Sequence, residues 1–285
     1  MHNIQWFPGH MTKALREIQS ELSKVDSVIY LLDARAPKSS LNPELDEIFR
    51  HMPTLYVLNK SDLVNPKSLQ KWKNYFMKIG SSCIYMNSLN LQNTKYLLDE
   101  LHEINKNKIE YYKNRGANVK VSSMVVGIPN SGKSTLINNL AGKYKAKRAN
   151  KPGITRGQQI ISVNKNINLI DSPGVLYPSF EDQNVALKLS MIGSISDEIV
   201  DQVELSKKII SLMSKNFYKN FIARYDIDIE NKTIDEIFNA IAKIRGAILK
   251  NEKIDKERTA KIIIGDFRNG LLGLACLDDL DFSDI

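Results

Sequence analysis

The chain has 285 residues, of which 42% are hydrophobic and 25% charged, as in ordinary globular proteins with room for two domains. No stretch approaches the roughly 20 apolar residues of a membrane helix, and the start MHNIQWFPGH lacks the layout of a secretion signal. The cysteines Cys83 and Cys276 are isolated, which predicts buried thiols in a reducing, cytoplasmic setting and neither a disulfide framework nor a metal site.

The net charge of +8 is divided unevenly along the chain. Residues 1–174 hold 25 basic and 13 acidic side chains, a balance of +12, whereas residues 175–285 hold 15 and 19, a balance of −4. A basic half joined to an acidic half favours a polyanionic partner for the first half. The alternative to a polyanionic partner is that the lysines only keep the protein soluble.

The first third of the chain alternates between strand-like and helix-like runs. Residues 27–32, 54–59 and 83–86 are short, apolar and rich in β-branched or aromatic residues, which predicts buried strands. Asn42-Pro43 and Asn65-Pro66 each place a capping residue before a proline, a pattern typical of a helix start. The alternation predicts an α/β fold, a mostly parallel sheet with helices on both faces.

The remaining elements follow in two groups. A long polar helix at about 94–115, a strand at 119–127, a helix at 133–141 and hairpin strands at 158–164 and 167–171 extend the α/β pattern. Apolar residues at helical spacing then dominate 197–215, 233–249 and 255–269, and Thr233 with Glu236 forms a capping box. The C-terminal third is therefore predicted to be all-helical.

GIPNSGKS at 127–134 matches the phosphate-loop pattern GxxxxGK[ST], between a predicted strand and helix. Backbone N–H groups of such a loop bind phosphates, Lys133 would reach the β- and γ-phosphates, and the Ser134 hydroxyl would hold Mg²⁺. An accidental glycine-rich turn is the alternative. The predicted nucleotide contacts in this loop are Asn130, Ser131, Gly132, Lys133, Ser134 and Thr135.

NKSD at 59–62 ends the second predicted strand. A buried carboxylate such as Asp62 can accept hydrogen bonds from N1–H and the 2-amino group of guanine, which adenine lacks. Asn59 would contact the base edge, and Lys60 would pack along the base. Asn87 and Ser88, in NSL (87–89), stand where a loop would back the guanine. Asn and Asp also mark simple turns, which is the alternative.

DSPG at 171–174 ends another predicted strand. Asp171 would hold Mg²⁺ through water, and the N–H of Gly174 would meet the γ-phosphate. Thr155, in PGIT, is a candidate switch threonine for Mg²⁺ and the γ-phosphate, with a mobile loop residue as the alternative. Because all three motifs follow strands, as nucleotide sites in such sheets do, together they predict a GTP site.

The order of these motifs is unusual, since NKSD precedes the phosphate loop. A Ras-like GTPase runs from the phosphate loop through DxxG to NKxD, so the pattern predicts a circularly permuted Ras-like domain. In that arrangement residues 27–32 replace the strand after the second switch, and residues 11–25 replace its helix. The predicted domains are 1–177, the permuted GTPase domain, and 178–285, the helical domain.

The chain resembles the circularly permuted ribosome-assembly GTPases of the YlqF type, the ribosome biogenesis GTPase A family, over essentially its whole length. Besides the three motifs, the resemblance rests on QWFPGHMTKA (5–14), DARAPKSSLNP (33–43), PGITRG (152–157) and IRGAILK…GDFRNGLLG (244–273). It implies a GTPase that acts late in maturation of the large ribosomal subunit and is stimulated by that subunit. It also implies an RNA-contacting helical domain; we expect no membrane or DNA partner and a monomer.

Three features bear on hydrolysis and RNA contact. Val175 stands where many such enzymes carry a water-orienting glutamine; the resemblance implies His10 as substitute, and the permuted topology also brings His10 near the γ-phosphate. The alternative is that His10 only caps the helix locally. The predicted catalytic set is His10, Lys133 and Thr155.

Asn130 is a candidate K⁺ ligand or only a turn cap. A basic stretch over 143–156 suits rRNA phosphates, or is a solvated face.

Three functions fit the sequence. The first is an assembly factor that docks with GTP and leaves upon hydrolysis. The second is a binding module in which nucleotide only stabilises an RNA-binding conformation. The third is a GTPase of tRNA modification or translation. The histidines do not cluster and the cysteines are isolated, so no second catalytic constellation is visible and the first function is favoured.

Overall fold

The architecture described below comes from a computed structural model. It describes residues 9–90, 93–145, 160–176, 180, 182–250 and 252–283, and the side chains of 9, 10 and 143–145 lie outside that description. Within these ranges the chain divides into a sheet unit, residues 9–62 and 66–176, and a helical unit, residues 63–65 and 180–283. A domain boundary between 177 and 178 stays a prediction. No helix in the described ranges is long and apolar enough to cross a membrane.

The described part of the sheet unit contains one six-stranded sheet in the order β3-β2-β1-β4-β6-β5. All neighbouring strands are parallel except β5 and β6, which form an antiparallel hairpin. The strands are β1 Ser27–Asp33, β2 Thr54–Asn59, β3 Ser82–Tyr85, β4 Val121–Val126, β5 Ile160–Ser162 and β6 Ile167–Asp171. The most N-terminal strand thus lies between β2 and β4, which confirms the permuted connectivity.

Helices connect these strands. They are α1 Gly9–Glu21, α2 Pro43–Phe49, α3 Pro66–Lys78, α4 Thr94–Ile104, α5 Lys106–Lys113 and α6 Lys133–Lys145. Asn42 caps α2 as predicted, since its side chain accepts a hydrogen bond from the Glu44 backbone N–H (3.0 Å), one of the donors that a helix start leaves without an intrahelical partner.

Both faces of the sheet are covered, because alternate strand residues point to opposite sides. Ile29 and Leu31 of β1 belong to a buried cluster that includes residues of α4 and α6. Tyr30 and Tyr56 point to the other face, where the Tyr56 ring stacks on Tyr30 and on Phe76 of α3, the Tyr56–Phe76 ring centroids lying 4.5 Å apart. All seven β1 residues are buried, as expected of a central parallel strand.

The predicted long helix at 94–115 is wrong in one respect, because it breaks at Asn105. The buried Asn105 side chain donates hydrogen bonds to the carbonyl of Leu101 (2.8 Å) and to the Ser27 hydroxyl (2.9 Å). Its backbone leaves the helical region, at φ −103° and ψ 4°. An asparagine that bonds locally competes with the backbone ladder, so α4 ends and α5 begins.

The helical unit consists of five α-helices in its described residues. They are α7 Gln183–Met191, α8 Gln202–Asn216, α9 Tyr218–Tyr225, α10 Ile234–Ile244 and α11 Lys256–Arg268. The capping box of Thr233 and Glu236 is confirmed. The helix predicted over 233–249 ends at Ile244, because the chain turns at Gly246 (φ 62°) and Ile248 then pairs with Ile254. Cys83 and Cys276 are buried free thiols, as predicted.

Candidate nucleotide-binding site

The motifs singled out in the sequence meet at one edge of the sheet. β2, β1, β4 and β6 are consecutive and parallel, so their carboxyl ends share one side. NKSD, Asp33, the loop 127–132 and DSPG continue from those four ends respectively. In open α/β sheets ligands bind beyond the carboxyl ends of the strands, and the parallel register therefore produces a candidate site here.

Two glycines let the loop 127–132 follow the surrounding backbone. A Cβ atom on Gly127 (φ 146°) would lie 2.3 Å from the carbonyl oxygen of Leu31. A Cβ atom on Gly132 (φ 102°) would lie 2.3 Å from the side-chain nitrogen of Asn59. Neither position admits a side chain, and the loop leads directly into α6 at Lys133. Its backbone N–H groups and the helix N-terminus form a typical anion-binding arrangement.

The Lys133 side chain lies back along this loop. Its ammonium donates hydrogen bonds to the carbonyls of Gly127 (3.0 Å) and Ile128 (2.8 Å). Burial lowers the pKa of Lys133 to about 8, against the opposing effect of the Asp171 carboxylate. A polyphosphate would offer charged acceptors, which form stronger hydrogen bonds than carbonyls do. Lys133 is therefore positioned to exchange loop carbonyls for an anionic ligand.

DSPG packs against the phosphate loop. The Ser172 hydroxyl donates to the carbonyl of Val125 (2.6 Å), and a Cβ on Gly174 would lie 3.0 Å from both the Lys133 ammonium and Pro129. The Oδ1 atom of Asp171 is enclosed and has no hydrogen-bond partner. Desolvation raises the pKa of Asp171, with Lys133 opposing this effect. An unsatisfied buried carboxylate oxygen fits a metal-bound water as its missing partner.

The first residue of NKSD joins three loops. The buried Asn59 donates from its side chain to the carbonyl of Ser131 (2.7 Å). Its side-chain oxygen accepts from the N–H (2.9 Å) and hydroxyl (2.8 Å) of Ser88. The Ser88 carbonyl in turn accepts from Asn139 of α6 (2.7 Å). Asn59 therefore ties the phosphate loop to the segment after β3; its contact with a base edge stays a prediction.

The second residue of NKSD belongs to a buried charge cluster that the sequence interpretation missed. The Lys60 ammonium lies 2.8 Å from the Asp33 carboxylate and donates to the carbonyl of Asn130 (2.7 Å). Arg35 binds the same carboxylate through two hydrogen bonds, of 2.9 and 2.7 Å. Burial alone would raise the pKa of Asp33, but Arg35 and Lys60 outweigh it and hold that pKa well below its usual range. The available signal was the position of Asp33 directly after a strand.

The other predicted base contacts lie beside this cluster. Asp62 is exposed, in a short 3-10 turn over Ser61–Leu63, and not buried as the sequence argument assumed. Its carboxylate is open to a ligand from solution. The Asn87 side chain accepts from the N–H of Leu89 (2.8 Å), which shapes the turn next to Ser88.

The structure describes only some of the remaining predicted site residues. Val175 and Leu176 are completely buried, which supports the inference that neither orients a water. Ser134 is exposed at the start of α6 and Thr135 is half-buried. His10 lies in the first turn of α1, but its side chain is outside the described residues, as are Thr155 and nearly all of the basic stretch 143–156.

Comparison with known proteins identifies a family of similar sequences. A family model described as a 50S ribosome-binding GTPase matches residues 122–247. "Ribosome biogenesis GTPase A" of Bacillus cereus is 40% identical over 271 residues, 95% of this chain and 92% of the relative. "Mitochondrial ribosome-associated GTPase 1" of Bos taurus is 31% identical over 96% of this chain and 88% of its own length. The similarities to these two relatives span nearly the whole chain.

Two solved structures resemble this one. The crystal structure of GNP-bound YlqF from T. maritima has a TM-score of 0.66 and 27% sequence identity, covering 93% of this chain and 97% of that one. The GDP-bound structure of the same protein has a TM-score of 0.64 and covers 90% and 96%. Fold and sequence similarity thus extend over both units.

Proposed function

Because this chain belongs to the ribosome biogenesis GTPase A family, we propose that it binds GTP and hydrolyses it as an assembly factor in late maturation of the large ribosomal subunit. The observation that carries the proposal is the meeting of the phosphate loop, NKSD and DSPG at one sheet edge. With GTP it docks on the precursor subunit, and hydrolysis releases it. A cytoplasmic, monomeric protein is part of the proposal.

Guanine recognition is assigned to NKSD. The exposed Asp62 carboxylate accepts from N1–H and the 2-amino group of the base, while Lys60 packs along the base. Support comes from Lys60, whose ammonium is held between Asp33 and Asn130, so that its stem is fixed before the base arrives. Asn87 and Ser88 back the base from the neighbouring loop.

The phosphates are assigned to the loop and to α6. The N–H groups from Asn130 to Thr135 and the Lys133 ammonium bind the β- and γ-phosphates, and Gly174 donates to the γ-phosphate. Ser134, Thr155 and Asp171 hold Mg²⁺, which neutralises charge on the transferred phosphoryl group. Support for the metal is the unsatisfied Asp171 oxygen. Asn130 is proposed as a K⁺ ligand.

Hydrolysis needs a group that orients water, and we assign it to His10. Support is indirect: Val175 and Leu176 are completely buried, and β1 takes the place in the sheet that the permutation argument requires. An imidazole can accept a proton or stabilise developing charge at the attacking water.

The test is GTP hydrolysis in potassium buffer by wild type and His10→Ala, with precursor or mature large subunits, with translating ribosomes and tRNA, or alone. We expect strong stimulation by the precursor that His10→Ala loses while GTP affinity is kept. Stimulation that survives the substitution would remove His10 from the mechanism. Stimulation only by tRNA or translating ribosomes would favour a GTPase of tRNA modification or translation. Hydrolysis that none of these partners stimulates would favour the binding module.

A further inference from the structure

A cavity lies at the amino-terminal edge of the sheet, at the other end of the strands from the candidate nucleotide-binding site. Its volume is about 540 Å³, within the range of pockets that hold small ligands. Its walls come from α2 and the turn after it, from the first residues of β2, from the residues that lead into β3 and from the end of α4. Because β2 runs from Thr54 to Asn59, about 16 Å of strand separates the cavity from NKSD. The cavity is therefore a separate site within the sheet unit.

Three aromatic side chains line this cavity. Phe49 and Tyr30 are buried and Tyr56 is half-buried. The Tyr30 hydroxyl is already bonded, since it accepts a hydrogen bond from the backbone N–H of Asn42 (2.7 Å). The Tyr56 hydroxyl, by contrast, makes no hydrogen bond within the described part of the chain, and burial raises the pKa of Tyr56 to about 12. The cavity thus combines an apolar lining with one neutral phenol that can still bond a ligand.

One carboxylate lines the cavity, that of Asp46 on α2. Among the described residues it has no hydrogen-bond or ion-pair partner, and desolvation by burial raises the pKa of Asp46 to about 6. Part of its surface stays open to solvent, so a ligand can reach it. The charge of Asp46 also acts on Tyr56, which indicates that the two groups lie near each other. A partly desolvated carboxylate without a partner is costly to keep ionised, and a bound cation would offset that cost.

The charged groups around the cavity favour a cation over a polyanion. Helix α2 carries Glu44, Asp46 and Glu47 and no basic residue. Arg50 lies at the rim, but its guanidinium pairs with Glu47, so it leaves the charge of Asp46 in place. His51, the other basic side chain of the lining, is exposed. Phosphates of RNA would meet this acidic helix, whereas a cation is attracted by it.

We propose that this cavity binds an alkylguanidinium group, carried either by a small molecule or by an arginine side chain of a protein partner. The planar guanidinium donates paired hydrogen bonds to the Asp46 carboxylate and a further one to the Tyr56 hydroxyl. Its alkyl stem packs on the aromatic lining. An ammonium group fits less well, because it lacks the planar fork that matches a carboxylate. The inference goes beyond the proposed function and does not depend on GTP.

The experiment titrates the full chain with Nα-acetyl-L-arginine methylamide and measures binding from amide NMR spectra. Two matched probes are the citrulline analogue, which has the same shape without the charge, and the lysine analogue. The variants are Asp46→Asn and Tyr56→Phe. The control is Glu44→Gln, which removes the same charge from α2 outside the cavity lining. Urea unfolding, GDP affinity, basal GTP hydrolysis and binding to precursor large subunits are measured for each protein.

We expect the arginine probe to bind with a Kd of about 1 mM or tighter, as the size of the probe allows. Asp46→Asn should weaken it at least about tenfold and Tyr56→Phe about fivefold, whereas Glu44→Gln should match wild type. The lysine probe should bind more weakly and the citrulline probe not measurably. Asp46→Asn should keep or raise the free energy of unfolding at pH 7, because the raised pKa means that folding disfavours the ionised carboxylate.

The subunit measurement distinguishes the two sources of the guanidinium group. Weaker binding of Asp46→Asn to precursor large subunits identifies an arginine on a subunit protein, and unchanged binding identifies a small molecule. GDP affinity and basal hydrolysis should be unchanged in both cases.

Three results would overturn the inference. The first is equal binding of the arginine and citrulline probes. The second is equal weakening by Asp46→Asn and Glu44→Gln, which leaves only nonspecific attraction. The third is a loss of stability in Asp46→Asn with unchanged affinity for the arginine probe, which assigns Asp46 a structural role. The proposed function fails separately, when wild-type hydrolysis does not respond to any large subunit.

Discussion

The Lys60 ammonium lies 2.8 Å from the carboxylate of Asp33, and its other partner is the Asn130 carbonyl of the phosphate loop, at 2.7 Å. One lysine thus joins the end of β1, the base-recognition segment and the phosphate loop. Strand register explains the contact, because Asp33 pairs with Asn59, the residue before Lys60. We therefore propose that Asp33 and Arg35 are positioning residues for nucleotide binding.

Asp33→Asn should impair both stability and nucleotide affinity. The substitution leaves the buried Arg35 guanidinium and the Lys60 ammonium without their counter-charge, which typically costs about 3–5 kcal/mol of unfolding free energy. We expect GDP affinity to fall about tenfold at temperatures where the variant is still folded, because Lys60 loses its anchor. Urea unfolding and titration with a fluorescent GDP analogue measure the two effects.

Asp26→Asn is the matched control for this change. Asp26 precedes β1 at its other end, where it pairs with Lys108 and accepts from the Ser122 N–H. The Asp26–Lys108 ion pair is more exposed than the Asp33 cluster. Its loss should therefore lower the free energy of unfolding by about 1 kcal/mol or less and leave GDP affinity unchanged. Equal GDP affinities of Asp33→Asn and wild type would show that the cluster serves stability alone.

Gly132→Ala should disconnect the phosphate loop from Asn59. The added Cβ would meet the Asn59 side-chain nitrogen at 2.3 Å, at a φ of 102° that L-residues rarely adopt. We expect a loss of nucleotide affinity of at least about tenfold, since Asn59 must move from both Ser88 and Ser131. Isothermal titration with GDP measures it.

The control for this glycine lies ten residues further along. A Cβ on Gly142, in α6, would have no heavy atom within 4 Å. Gly142→Ala should therefore raise the unfolding free energy by up to about 1 kcal/mol through helix propensity, without changing GDP affinity. A weakening of GDP binding by both substitutions would argue against the steric explanation.

Nucleotide binding should take up protons in mildly alkaline solution. The pKa of Lys133 is lowered to about 8 in the free protein, so its side chain is largely neutral above pH 8. A bound polyphosphate stabilises the ammonium and raises the pKa, so between pH 8 and the ordinary lysine pKa of 10.5 binding draws a proton from the buffer. Uptake should be small at pH 6.5, where Lys133 is already charged.

Titration calorimetry in buffers of different ionisation enthalpy measures this uptake. Lys133→Met should abolish the uptake at pH 8.5 and weaken GTP binding, whereas Lys120→Met, an exposed lysine before β4, should leave both as in wild type. Persistent uptake in Lys133→Met would assign the proton to another group.

Asp62→Asn should change base preference. The carboxylate accepts two hydrogen bonds from guanine, whereas an amide offers donors that suit the C2 carbonyl of xanthine. We expect GTP affinity to fall about 100-fold or more and xanthosine triphosphate affinity to rise, since a site built for one hydrogen-bond pattern rejects the other. Competition against a fluorescent GDP analogue measures both, and parallel losses for the two nucleotides would contradict this role.

Local pattern was enough to predict most elements. The apolar runs predict β1, β2 and β4 nearly to the residue, because central parallel strands are continuous hydrophobic segments. Prediction from local pattern failed at two helix ends. Helix α4 ends at Asn105, whose side chain makes a buried hydrogen bond to Ser27, and α10 ends at Ile244, before a turn at Gly246. The first of these depends on a partner 78 residues away, which no local window contains.

By itself, the sequence determined the phosphate loop, NKSD and DSPG and their permuted order, because each motif is a short segment whose chemistry requires particular residues at fixed spacing. Only the tertiary structure decided that Asp33, Arg35 and Lys60 form one buried cluster, and that Asn59 binds Ser88 and Ser131. These contacts arise from the register of β1 against β2 and from β4 lying beside β1. Such pairing is a property of the folded sheet, since it brings together side chains that are far apart along the chain.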